Sequence, residues 1–184
     1  MDYDVVDLIM SDHREVERLF DELKNHPEKR PLLTPVMCSL LVAHSRAEEA
    51  EVYPVARQEA GETDEVEHSQ EEHAQAERLL IKLSACDPAS PEYDRALEKV
   101  VEAVTHHVEE EESTVLPGMK ARIPEARRAE LGRAFAERRT QHLGDMPGQA
   151  SREDLLIQAR NAGISGAQGM SKAELKKELE KATS

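Results

Sequence analysis

The sequence predicts an all-α protein: an up-down-up-down four-helix bundle followed by an extra helix and a small C-terminal helix-loop-helix. Three observations carry this. Apolar residues recur at three- and four-residue steps over four long segments, which lays one stripe along a helix. Links bearing Pro or Gly separate those segments. No window alternates apolar and polar residues with β-branched enrichment, as a half-buried strand would.

The first helix spans about 4 to 25, with Val5, Val6, Ile9, Val16, Leu19, Phe20 and Leu23 on its stripe, and His26-Pro27 ends it. A second runs from Pro31 or Thr34 to about Gly61, with Met37, Leu40, Leu41, Val52 and Val55 on one face and Pro54 as a kink or break. The third starts at Thr63, whose hydroxyl can cap it, carries Val66, Leu79, Leu80 and Leu83, and stops near Asp87-Pro88. The fourth follows Ser90-Pro91, carries Leu97, Val100, Val101, Val104, Val108 and Val115, and meets Pro117-Gly118. Beyond it PEARRAELGRAFAERR supplies the extra helix. Residues 1–143 form the bundle unit, 144–150 (GDMPGQA) a linker, and 151–184 a separate module.

Composition narrows the function. The 184 residues hold 38 acidic and 24 basic side chains, a formal charge of −14, with 3% aromatics. Residues 151–184 contain six basic and five acidic side chains, leaving 18 against 33 in the first 150, so the acidity belongs to the bundle. Such a surface repels phosphate backbones and anionic lipid. The two cysteines, Cys38 and Cys86, form neither a CxxC pair nor a disulfide framework, which points to a reducing cytoplasm. The acidic start MDYDVVDLIMSDH lacks the basic opening of a secretory leader, and no stretch nears the roughly 20 apolar residues of a membrane span. A soluble cytoplasmic protein without a membrane partner is expected. No feature points to one oligomeric state.

Each apolar stripe is interrupted by histidine where Leu would be expected. His13 falls between Ile9 and Val16, His73 between Val66 and Leu80, and two pairs, His44 with Glu48 and His107 with Glu111, sit on the buried faces of the second and fourth helices. Four imidazoles and two carboxylates cannot be buried unpaired, since each uncompensated group costs kcal/mol and an ion several. A transition metal satisfies them together, because imidazole nitrogen and carboxylate oxygen suit iron and inward side chains of facing helices build bundle metal sites.

An internal repeat strengthens the point. HSRAEEAEVYP (44–54) and HVEEEESTVLP (107–117) align without gaps at an offset of 63, and His13 and His73 precede them at an offset of 60. Two copies of H…HxxxEE imply a pseudo-twofold bundle with two metal ions. His106 makes its own pair with Glu110 but lies off the stripe, and His68 reads as a surface residue. Glu49 and Glu112, next to the inward carboxylates, face solvent or accept hydrogen bonds from imidazole N–H groups.

The segments DHREVERLF, HSRAEEAEVYP, EEHAQAERLL and HVEEEESTVLP, within about 4–120, resemble the hemerythrin-like HHE cation-binding domain. The resemblance implies a non-haem di-iron centre, two Fe ions with an oxo or hydroxo bridge, with His13, His44, His73 and His107 as terminal ligands and Glu48 and Glu111 as bridges. The species handled would be oxygen, peroxide, nitric oxide or iron itself. Oxygen-carrying hemerythrins have a fifth histidine one turn after the third-helix histidine; here that place is Glu77. Each iron then has five ligands of six, unless Glu77 or Tyr53 completes the coordination. A centre open at both metals favours inner-sphere reaction with peroxide or nitric oxide, including catalase-like peroxide decomposition. The alternative is a non-catalytic iron store or iron-dependent signalling scaffold.

The tail, SREDLLIQARNAGISGAQGMSKAELKKELEKA, resembles the small helix-loop-helix module of transcription terminator Rho and the related SAP-type motif, with a first helix ending at Gly163 and Ser171 capping a second. Nucleic-acid contact is left open only here. With a net charge of +1 and no aromatic residue, the tail has neither a basic stripe nor a stacking platform.

Overall fold

The computed structural model describes residues 3–182, and every element in it is helical. Helix α1 (Val5–Asn25) opens with Asp4 as its cap, the carboxylate accepting from the Val6 N–H at 2.9 Å. After a short 3₁₀ turn at Pro27–Lys29, α2 (Arg30–Ala47), a π-helical turn (Glu48–Val52) and α3 (Tyr53–Glu59) form one rod. Helices α4 (Thr63–Ser84) and α5 (Pro91–Ser113) follow, then α6 (Val115–Arg122), α7 (Glu125–His142), α8 (Arg152–Asn161) and α9 (Lys172–Ala182). Contacts of α1 with α2, α2 with α4, α4 with α5 and α5 with α1 close a ring of four helices, and α7 lies across α1 and α2.

The interior is divided. One apolar cluster gathers Val5, Ile9, Val52, Tyr53, Val66, Leu116, Met119 and Phe135. Another gathers Val16, Leu19, Phe20, Met37, Leu41, Leu80, Leu83, Val100 and Val104. Between Ile9 of the first and Val16 of the second sits His13, and the other buried histidines and carboxylates share that level. Each fully buried aliphatic or aromatic side chain contributes about 1.5–3 kcal/mol. The two clusters therefore hold the helices together on either side of a polar layer that brings no such gain.

At Pro54, where the sequence suggests a kink or break, the helix continues. The register changes one step earlier: the Tyr53 N–H bonds to the Glu48 carbonyl, five residues back, and Pro54 has no N–H to offer. The Glu49 carbonyl, passed over by both, accepts instead from Asn161 Nδ2 at 2.9 Å. The extra residue in the turn changes which side chains face inward. In a regular helix Tyr53 would lie about 140° around from Glu48, whereas here both are fully buried.

Two other boundaries differ from expectation. Thr63 does not cap α4; Glu62 occupies the cap position and its carboxylate pairs with Arg122 at 2.6 Å. The fourth helix ends at Ser113, breaks at Thr114 and resumes as α6 straight through Pro117 and Gly118. Pro117 is tolerated because it falls in the first turn, where the N–H has no helical partner. At Gly118 a Cβ would stand 1.6 Å from the Glu62 carboxylate, so only glycine admits that approach.

The tail packs on the bundle. Its apolar residues Leu155, Leu156, Ala159, Leu175 and Leu179 form a third small cluster, and Ser151 with Asp154 makes a full capping box for α8. Ser171 accepts from the Glu174 N–H at 3.3 Å, capping α9. The 144–150 stretch is bonded to the bundle, with Gly144 N donating to Ser39 Oγ at 2.7 Å and Gly148 N to Glu77 at 2.9 Å. Asn161 donates both to the Glu49 carbonyl and to Gln70 Oε1 at 3.0 Å. Replacing it, Asn161→Leu, leaves both acceptors buried and unmet, and a denaturant titration of the metal-free protein should show a loss of about 1–3 kcal/mol; an unchanged midpoint would mean that the carbonyl has another partner.

Candidate metal centre

The six sequence-selected donors arrive from five elements at one level: His13 from α1, His44 from α2, Glu48 from the π turn, His73 from α4, and His107 with Glu111 from α5. They form two groups whose ligand atoms lie within 4.8 Å of one another, His13, His44, Glu48 and Glu111 in one and Glu48, His73 and His107 in the other. Glu48 belongs to both. Its Oε2 lies 3.1 Å from His44 Nε2 and 3.3 Å from His73 Nε2. Glu111 Oε2 lies 3.3 Å from His13 Nε2 and 3.8 Å from His107 Nε2.

The chemistry of this layer asks for a cation. His13 Nε2, His44 Nε2, both oxygens of Glu48 and Glu111 Oε2 are buried without a hydrogen-bond partner. Five such atoms facing one another would each cost about 1–3 kcal/mol or more if nothing joined them. Without a cation, protons on His44 and His73 offset the carboxylates. Burial opposes a charge on His44, yet Glu48 and Asp12 outweigh it and push its pKa up to about 10. Glu48 and Glu49 act likewise on His73, raising it to about 9 against the same burial. A metal ion would take over the role of those protons.

Every imidazole is held from behind by a carboxylate. His13 Nδ1 meets Glu112 at 2.8 Å, His44 Nδ1 meets Asp12 at 3.1 Å, His73 Nδ1 meets Glu49 at 3.3 Å and His107 Nδ1 meets Glu72 at 2.8 Å. Such partners fix the tautomer, leave Nε2 free to bind and raise its basicity. Of the two roles the sequence leaves open to Glu49 and Glu112, both take the one beside an imidazole; Asp12 and Glu72 are not singled out by the sequence reading. The signal was present, since an acid immediately precedes the first histidine of each repeat, as Asp12-His13 and Glu72-His73. The pattern is crossed: the acid before one histidine serves the other histidine of its own repeat, and the acid after each inward Glu serves the opposite repeat.

Three of these outer carboxylates are met in turn by arginine. Asp12 pairs with Arg139 of α7 at 2.8 Å, Glu49 with Arg46 at 3.1 Å, and Glu112 with Arg14. Burial favours the neutral form of Glu49, but Arg46 and His73 hold its carboxyl down to about 2. Gln158 of the tail adds a hydrogen bond to Glu49 Oε2 at 3.0 Å.

Glu77 is not brought to the centre; Arg46 Nη2 donates to both of its oxygens at 2.8 Å. Tyr53 is. Its hydroxyl lies 3.1 Å from His73 Nε2 and donates to Glu111 Oε1 at 3.4 Å. Burial and the carboxylates of Glu111, Glu48 and Glu49 keep it a neutral phenol far above its ordinary range. In the other repeat the matching residue is Leu116, so only one end of the centre has a phenol. On the opposite side is a cavity of about 20 Å³ lined by the four histidines, Val16, Leu41, Val104 and Val108, room for about one water-sized ligand.

Comparison with known proteins fits this geometry. The family model described as the hemerythrin HHE cation binding domain matches residues 4–118. A curated protein of Nostoc sp. (strain PCC 7120 / SAG 25.82 / UTEX 2576) named DNA nickase is 30% identical over 152 residues, which cover 82% of this chain and 43% of that protein. The chain thus spans less than half the length of that relative. No solved structure matches significantly.

Arg46 neutralises the buried Glu49 and the partly buried Glu77, so Arg46→Met should destabilise the protein by about 3–5 kcal/mol in a denaturant titration. Arg14→Met, at a half-exposed pair, should cost no more than about 1 kcal/mol; equal losses would contradict the burial argument.

Proposed function

The chain belongs to the hemerythrin HHE cation-binding family, and from that premise we propose that it holds two iron ions in the polar layer and handles a small ligand such as oxygen, peroxide or nitric oxide. His13 and His44 would serve one iron, His73 and His107 the other, with Glu48, Glu111 and an oxo or hydroxo group between them. The single observation that carries this reading is the set of five buried, unpartnered donor atoms facing one another, shared through Glu48. Bound iron supplies the paired one-electron chemistry that such ligands require.

The protein's own groups favour a small ligand. A cavity of about 20 Å³ walled by Val and Leu admits a diatomic or peroxide and excludes bulk water. Outer carboxylates hold each imidazole in one orientation. Tyr53 keeps its proton and lies against His73 and Glu111, while the cavity lies among the four histidines. The up-down-up-down course of the helices, a cytoplasmic location and the division into bundle (1–143), linker (144–150) and Rho- or SAP-like module belong to the same reading.

A second reading has one observation in its favour. The similarity to a protein named DNA nickase covers a longer stretch than the family match, and a dinuclear site is a chemistry suited to phosphodiester cleavage. Against it stand the acidity of the bundle and a cavity too small for a nucleotide.

Iron analysis should give about two ions per chain, falling steeply in His107→Ala, with near-ultraviolet absorption lost in step; a wild-type chain without iron would end the di-iron proposal. Oxygen release from added peroxide by wild type and not by His107→Ala would establish the catalytic form. Nicking of supercoiled plasmid by the loaded protein, absent in the same variant, would replace it with the second reading. Removing the metal should lower the thermal midpoint, because binding is linked to folding.

A further inference from the structure

We propose a second cation site, on the surface of the α4–α5 pair, in which His68, Glu72, His106 and Glu110 bind one divalent transition-metal ion. Each helix offers a His-x₃-Glu pair whose donors sit one turn apart on one face. The two pairs face each other, and all four ligand atoms lie within 4.8 Å of one another. His68 Nε2 is 2.9 Å from Glu110 and 3.6 Å from Glu72 Oε1, while His106 Nε2 is 3.3 Å from Glu110 and 3.6 Å from the same Glu72 oxygen. Two imidazole nitrogens and two carboxylate oxygens suit zinc, cobalt or ferrous iron rather than calcium or magnesium, which take oxygen donors alone.

The internal repeat sharpens the inference. The positions matching His68, Glu72, His106 and Glu110 in the first repeat are Leu8, Asp12, Ala43 and Ala47. There the face is apolar, Ala43 and Ala47 are fully buried, and Arg139 of the covering α7 pairs with Asp12. In the second repeat no α7 lies over the face: the side chains of His68 and His106 are 55% and 62% exposed while that of Glu72 is only 10% exposed. Among the described residues, the ion partners found for Glu72 are His68, His106 and His107, where the other three outer carboxylates meet arginine. A cation here would take the place of the missing guanidinium. Glu72 would then face the outer ion with Oε1 and His107 with Oε2, one carboxylate between the surface and the buried layer.

The site stands on its own donors and does not require the buried layer to hold iron. Metal-free full-length protein dialysed against Zn²⁺ or Co²⁺ should bind one ion per chain more than His68→Ala/His106→Ala. Glu110→Gln should weaken that ion at least tenfold, since even outer-shell changes cost 10–100-fold. Zn²⁺ should also raise the thermal midpoint of wild type more than that of the double variant, by clamping α4 to α5. Equal stoichiometry and affinity in wild type, the double variant and Glu110→Gln would overturn the proposal. His13→Ala/His44→Ala separates the two sites: ions lost only in this variant support the buried centre alone, and ions lost only in the surface variant support the outer site alone.

Discussion

The structure depends on the compensation of charge in one buried layer. Glu48, Glu49 and Glu111 are withdrawn from water together with four imidazoles, and the surrounding helices can close only if every one of those charges has a counterpart. Much of the remaining architecture follows. The inner atoms converge so that a cation can join them. The outer carboxylates are each tied to an imidazole, and the guanidiniums of Arg14, Arg46 and Arg139 reach three of those carboxylates from α1, α2 and α7. The apolar clusters above and below supply the favourable burial that makes such a layer tolerable.

Much of this was legible in the sequence because helical spacing is regular. His44 with Glu48, and His107 with Glu111, declared themselves by interrupting apolar stripes, and the repeat showed that the interruption was not an accident. Asp12 and Glu72 are marked in the sequence only by standing before His13 and His73; the histidines they serve lie on other helices, and a sequence read one stripe at a time does not show such crossed pairs. The π turn was hidden as well. Pro54 announces a disturbance but not its kind, because a kink and an added residue both relieve a missing N–H, and the partner that meets the carbonyl released by the second, Asn161, is more than a hundred residues away. The break at Thr114 likewise has no mark in the spacing of the apolar residues, and the close approach of Glu62 to Gly118 joins residues that are far apart in sequence.

The two repeats are alike in their donors and unlike in what surrounds them. On the side of the first, α7 lies over α1 and α2, and Phe135 sets its ring edge-on to His44, 5.8 Å between centroids. Beside the π turn, α8 of the tail supplies Gln158 and Asn161 to Glu49. The α4–α5 face has no such cover over His68 and His106. Pseudo-symmetry of the centre is thus combined with asymmetry of access, and Glu49 links the tail to His73 through one carboxylate.

The π turn has a consequence of another kind. The turn holds one residue more than a regular helical course requires, and it does so without a loop. Removing a single residue between Glu48 and Tyr53 would restore the ordinary register, leave the phenol about 40° around from Glu48 on the same inward face, and put Asn161 opposite a carbonyl that no longer needs it. The added residue therefore leaves the tyrosine where an unbroken helix would set the fourth residue after Glu48, and what it releases is one backbone carbonyl for the tail to hold.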